Sequence, residues 1–168
     1  MKRLYLLRHA KSSWDEAGLA DRDRPLAKRG KRASKVMAKH LREERIEPDL
    51  VLCSPSARTR ETLERVGVGE RSEVQIVGDI YGASEADLLD VLRRVPDDVD
   101  SAMLIGHNPS LQALAVTLAG EGSETRMAEK FPTAALATLD FDGGWGELGP
   151  GVAELASFVK PKELARSD

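Results

Sequence analysis

Three places in this sequence pair residue types with a spacing that could do chemistry: Arg8-His9, Ser54 with Arg58 four positions on, and His107-Asn108. Arginine binds phosphate oxygens in pairs through its planar fork, and an imidazole can attack phosphorus or carry protons. Two guanidiniums, two imidazoles and a helix amino terminus around one crevice would therefore suit a tetrahedral phosphate. Nothing in that set suits hydride transfer. Each piece also has a plain reading. Arg8 could pair with Asp21 or Asp23, His9 could be a structural residue at a strand end, Gly-His-Asn-Pro at 106–109 could be a turn, and Arg58 could face solvent. Their joint occurrence after three separate apolar runs favours a site.

Those runs are the elements that must position the chemistry. Short apolar segments over residues 2–7, 50–53, 74–77 and 102–105 read as strands, each bounded by polar or turn-forming residues. Between them lie helical patterns. Ala33, Val36, Met37, His40 and Leu41 form a stripe over residues 26–44, behind Pro25 at a position helices tolerate. Further helices are expected over 56–65, capped by Ser54 or Ser56, from Ser84 to before Pro96, and over 111–119. Residues 134–141 and 152–159 read as two strands across a turn containing Gly143 and Gly144. The alternation predicts an α/β fold, a three-layer α/β/α domain with a mainly parallel, mixed central sheet and right-handed crossovers. In such sheets ligands bind outside the carboxyl ends of the strands, where all three polar groups fall.

Composition narrows the function classes. The 168 residues, 41% hydrophobic and 32% charged with net charge −3, fit one globular domain spanning 1–168. The single cysteine, Cys53, cannot form an internal disulfide, and the leading apolar run is too short for a signal peptide or membrane span. A reducing, cytoplasmic location with no membrane partner is the expectation. Residues 1–45 hold 14 basic and 6 acidic side chains, with much of the excess between Lys28 and Lys39. That reads as a solvated helical face or as a surface for an anionic partner. Nucleic acid is a poor candidate for that partner, because the chain is acidic overall, aromatics are 4% and no aromatic-basic stacking stripe is visible. No metal is expected, since His9, His40 and His107 lack an accompanying ligand pattern. A cysteine phosphatase fails on spacing: such enzymes need five residues between cysteine and arginine, and Cys53 to Arg58 leaves four.

The segments Leu6-Leu7-Arg8-His9-Ala10, Ser54-Pro55-Ser56-Ala57-Arg58 with Thr62 beyond, and Ile105-Gly106-His107-Asn108-Pro109 resemble the signature segments of the histidine phosphatase, or phosphoglycerate mutase-like, superfamily. Arg24-Pro25-Leu26 with Gly30, and Ile80-Tyr81-Gly82-Ala83 before an acidic helix, resemble its SixA-type protein phosphohistidine phosphatases. The resemblance implies that His9 is a nucleophile forming a phosphohistidine that water hydrolyses, with Arg8, Arg58 and His107 cradling the phosphoryl oxygens. It implies no cofactor, and a phosphohistidine-bearing protein as partner, such as a histidine-containing phosphotransfer domain. Ser12 is then a candidate substrate contact. Ser12, Ser13 and Trp14 line the rim, although Trp14 also suits a core anchor. Asn108 stands where phytase-like relatives carry an acidic proton donor, which disfavours that branch. Asp79 is the candidate general acid, with a turn-forming aspartate as its other reading. A small-molecule phosphomonoesterase and a non-catalytic phosphate-binding module stay open.

Overall fold

The computed structural model describes residues 1–120 and 125–165. In chain order the elements are β1 (Lys2–Arg8), α1 (Lys28–Glu43), β2 (Leu50–Cys53), α2 (Ala57–Val66), β3 (Glu73–Ile76), α3 (Glu85–Arg93), β4 (Ser101–Gly106), α4 (Ser110–Ala119), α5 (Thr125–Glu129), β5 (Leu136–Phe141), β6 (Glu154–Val159) and α6 (Pro161–Ala165). They build one six-stranded sheet in the order β3-β2-β4-β1-β5-β6. The first four strands are mutually parallel, whereas β5 pairs antiparallel with both β1 and β6 and is thus the one reversed strand of this sheet. Strand alternation sends side chains to opposite faces. Leu4, Leu6, Leu52 and Leu104 pack with Leu88 of α3 and Leu114 of α4, while Tyr5, Leu7, Val51 and Ile105 pack with Met37 of α1 and Leu63 of α2. This is the expected α/β/α arrangement. No helix among the described residues is long and apolar enough to cross a membrane.

Register levels the strand ends. Arg8 lies opposite Gly106, and Cys53 opposite Ile105. The ladder continues past the strands: the His9 amide donates to the Gly106 carbonyl and the Ser54 amide to the Ile105 carbonyl, at 3.1 and 3.2 Å. The three polar groups therefore emerge side by side.

Local differences from the sequence pattern have identifiable causes. The first helix starts at Lys28 rather than at 26, because Leu26 is claimed by another structure. It forms an antiparallel bridge with Ser12, and its amide donates to Glu61 Oε1 at 2.9 Å. Ser56, not Ser54, caps α2, and Ser84 caps α3 in a reciprocal box with Asp87. The two terminal strands pair as expected, but β6 begins at Glu154, and short α5 and α6 were not foreseen. Trp145 in the intervening turn is fully buried and donates to the Val99 carbonyl at 2.8 Å.

Gly30 fastens α1 to the loop after His9. A Cβ there would stand 2.1 Å from the Lys11 carbonyl oxygen, closer than any side chain can sit. The same oxygen accepts the Ala27 amide at 2.9 Å. The basic face of α1 is exposed at Lys28, Arg29, Lys31, Arg32 and Lys35.

Candidate active site

At the end of β1, His9 is buried, and its Nδ1 donates to the Ala10 carbonyl at 2.7 Å. A carbonyl can only accept, so this contact sets the tautomer and leaves Nε2 with its lone pair. The next peptide is held as well. The Ala10 amide donates to Thr62 Oγ1 at 3.0 Å, and that hydroxyl donates to the Arg58 carbonyl at 2.7 Å. One residue of α2 thus ties the His9 segment to the turn carrying Arg58.

The second imidazole follows β4. The His9 and His107 ring centroids lie 5.3 Å apart, and His107 Nε2 is 2.8 Å from Ser54 Oγ. The Ser54 hydroxyl can give its proton to His107 Nε2, an arrangement that would leave the ring's own proton on Nδ1. His107 Nδ1 and Arg8 Nε are buried with no hydrogen-bond partner among the described residues. A buried donor left unpaired costs about 1–3 kcal/mol, so an unpaired guanidinium Nε–H such as that of Arg8 favours an incoming acceptor. Arg8 is oriented by its Nη1, which donates to the Phe131 carbonyl at 3.0 Å.

Arg58 is buried near both rings and donates through Nη1 to the Asp21 carbonyl at 2.8 Å and through Nη2 to Asp21 Oδ2 at 3.0 Å. The sequence offers Asp21 only as a partner for Arg8. It instead collects Arg58, Arg24 at 3.0 Å on Oδ1, and the Tyr81 hydroxyl at 2.7 Å on Oδ2. The Tyr81 hydrogen bond foremost, then Arg58 and Arg24, hold its carboxyl down at about 2. The sequence signal was an aspartate three residues before Arg24-Pro25-Leu26. What it lacked was any sign that the long first loop folds back across α2.

Two expected contacts lie elsewhere. Asp79 is exposed and reaches Arg94 at 3.4 Å, because the tight turn Gly78–Ile80 buries Ile80 and so turns its neighbour outward. Among the described residues Asp79 makes no hydrogen bond to either imidazole, so the expected general acid gains no support from this geometry. Ser12 is buried, and its hydroxyl accepts from Arg24 Nη2 at 2.6 Å, so it braces the loop rather than facing a ligand. The Ser13 carbonyl accepts from Arg24 Nε at 3.0 Å. Trp14 is 72% exposed with the Arg24 guanidinium over its ring, which excludes the core-anchor reading. Asn108 donates to the Phe131 carbonyl at 3.0 Å, sharing that acceptor with Arg8. Cys53 is fully buried, and burial pushes its thiol up to about 12, far from a thiolate at neutral pH.

Burial also lowers the imidazoles, His9 to about 3 and His107 to about 4, with the Arg58 and Arg8 charges acting in the same direction. Both rings are therefore neutral at pH 7. The unfolded chain binds these two protons more readily than the folded one, so the stability they confer is full above the ordinary histidine value near 6.5. It is lost as pH falls through that value toward 4 and then 3. Thermal melts should show Tm dropping over this window, and His9→Asn with His107→Asn should flatten the drop. A wild-type Tm independent of pH from 7 to 4 would contradict buried neutral rings.

Residues 4–81 match the model of the histidine phosphatase superfamily, branch 1. An uncharacterised protein of Mycobacterium tuberculosis (strain H37Rv), Rv1276c, is 37% identical over 161 residues, 93% of this chain and all of the relative. The solved structure of a candidate phosphohistidine phosphatase SixA from Nakamurella multipartitia superposes with a TM-score of 0.86 at 29% identity, over 95% of this chain and 96% of that one. The protein histidine phosphatase SixA in complex with tungstate superposes with a TM-score of 0.79 at 25% identity, over 96% and 99%. Two imidazoles and Arg8 at level strand ends, Arg58 in the first turn of α2, the family match and a sheet shared end to end with SixA structures place this chain in the histidine phosphatase superfamily.

Proposed function

We propose that this chain is a phosphatase acting on phosphohistidine carried by a protein, through a covalent phosphoryl intermediate on His9. The observation that carries this reading is the Nδ1 contact to the Ala10 carbonyl, which leaves His9 Nε2 as a neutral, aimed base beside Arg8, Arg58 and His107. In the first step Nε2 attacks phosphorus while the substrate P–N bond breaks and its electron pair passes to the departing imidazole. In the second, water attacks phospho-His9, releasing inorganic phosphate. Arg58, Arg8 and the His107 donor meet the charge spread over the phosphoryl oxygens; positioning and positive charge are what phosphoryl transfer chiefly requires.

The leaving group decides between substrates. An alkoxide needs a proton from a carboxylic acid, whereas imidazole leaves far more easily. Asp21 is held ionised and Asp79 faces Arg94, so neither is a ready acid for ester cleavage. This disfavours a small-molecule phosphomonoesterase. The exposed rim at Trp14 and Asp21 suits a histidine presented on another protein surface, such as a histidine-containing phosphotransfer domain. A non-catalytic phosphate-binding module would give no reason for a fixed His9 tautomer.

The decisive test is rapid acid and alkaline quenching of enzyme mixed with substrate carrying a labelled phosphoryl group. An acid-labile, base-stable phosphoenzyme with the label on His9 is expected. Label on Cys53, or none during active turnover, would reject the mechanism.

A further inference from the structure

Asp21 is bound more tightly than a half-exposed loop carboxylate requires. Oδ2 accepts from Tyr81 and Arg58, and Oδ1 from Arg24. A carboxylate offers about four acceptor positions, so one remains on Oδ1. The side chain is 51% exposed and therefore open to a bound molecule. It also sits next to the phosphate cradle. The Arg58 guanidinium that flanks both imidazoles holds Asp21 at 3.0 Å, and the Tyr81 ring that carries the phenol stands edge-on to His107 at 5.7 Å. Carboxylate and phosphate cradle are thus within reach of one arginine side chain.

Resting on the phosphohistidine reading above, the chemistry of the leaving group supplies a use for that acceptor. A phosphohistidine ring has a second nitrogen remote from phosphorus. When this nitrogen carries a proton, the P–N electron pair leaves into a neutral imidazole. Without it the departing group is an anionic imidazolide, a much poorer leaving group. We propose that Asp21 Oδ1 accepts a hydrogen bond from the remote N–H of the substrate imidazole and so gives the site its preference for P–N over P–O bonds. The proton stays on that nitrogen throughout: His9 Nε2–P forms, substrate N–P breaks, and the product is a neutral histidine. A fixed negative charge opposite the N–H favours the protonated, reactive ring. Asp21 so acts on the substrate's leaving group without itself donating a proton, as its ionised state requires.

The experiment compares kcat/KM on phosphohistidine with that on p-nitrophenyl phosphate, whose leaving group needs no proton, for wild type, Asp21→Asn and Tyr81→Phe. Asp21→Asn keeps an acceptor oxygen but not the charge. Its P–N to P–O ratio is expected to fall by about tenfold or more, and the alkaline limb of its phosphohistidine profile should move to lower pH. Tyr81→Phe keeps the carboxylate and should keep the ratio, whatever happens to the overall rate. A parallel fall on both substrates in Asp21→Asn with no change in the alkaline limb would show that Asp21 merely holds Arg58, and would overturn the inference. Collapse of the ratio in Tyr81→Phe would also overturn it, assigning the preference to the phenol. If wild type showed no preference for phosphohistidine at all, the functional reading would fail first and this inference with it.

Discussion

His9→Ala should lower kcat on a phosphorylated protein by on the order of 10^4-fold while leaving vanadate binding within about tenfold of wild type. The two effects separate because the nucleophile and the anion cradle are different side chains. Nε2 of His9 makes the new bond, whereas Arg8, Arg58 and the His107 donor would hold the oxygens of either the substrate or its analogue. The fold should survive. The Ala10 amide is held by Thr62 and the His9 amide by Gly106, and neither bond involves the imidazole. Measuring single-turnover rate, vanadate affinity and Tm on the same preparation keeps the outcomes apart. Retained turnover in a folded His9→Ala protein would remove the covalent mechanism.

Arg58→Met should lower kcat/KM by about 10^2–10^3-fold, the usual effect of removing one donor that meets developing negative charge. Methionine keeps most of the buried volume, so loss of the guanidinium is the main change. Unlike the His9 variant, this one should weaken vanadate binding too. A second signature follows from charge. Arg58 is the leading electrostatic cause, after burial, that holds His107 near 4, and it also lowers His9. Removing a cation beside a base raises the base, so both rings should titrate at higher pH in the variant. Burial remains, and they should stay below the ordinary value near 6.5. Histidine titration by NMR reads this directly, and unchanged values would mean that Arg58 does not face the rings.

The strained backbone near the site has a clear neighbourhood. Ala134, at a positive φ of 62°, donates its amide to the Arg8 and His9 carbonyls, both at 3.0 Å. It sits between α5 and β5 and is fully buried. A non-glycine residue in this region is uncommon, and here the conformation brings a donor to the two carbonyls at the end of β1. Nothing in the local pattern at residues 131–136 marks it, because the demand comes from β1, more than a hundred positions away.

Short-range pattern was enough for the strands, the major helices, the three side chains at the strand ends and Arg58 in the first turn of α2. Apolar runs of four to six residues ending in polar groups declare a parallel sheet, and chain order with right-handed crossovers then puts Arg8, Arg58 and His107 on one edge. Caps were legible for the same reason, since Ser56 and Ser84 act on amides three residues ahead. Boundaries slipped where a distant partner intervened, as when Glu61 and Ser12 took Leu26 out of the first helix.

What the sequence by itself determined was the chemistry on offer: two imidazoles, two guanidiniums and a buried thiol at the wrong spacing, each at the end of an element its own neighbours specify. Tertiary structure alone decided how those groups are used. It set the His9 tautomer, turned Asp79 to Arg94, spent Ser12 on Arg24, and brought Asp21 across to Arg58 and Tyr81. Helical and strand periodicity are properties of consecutive residues. A hydrogen bond between positions 21 and 81 exists only because a long loop packs on a sheet built from both halves of the chain.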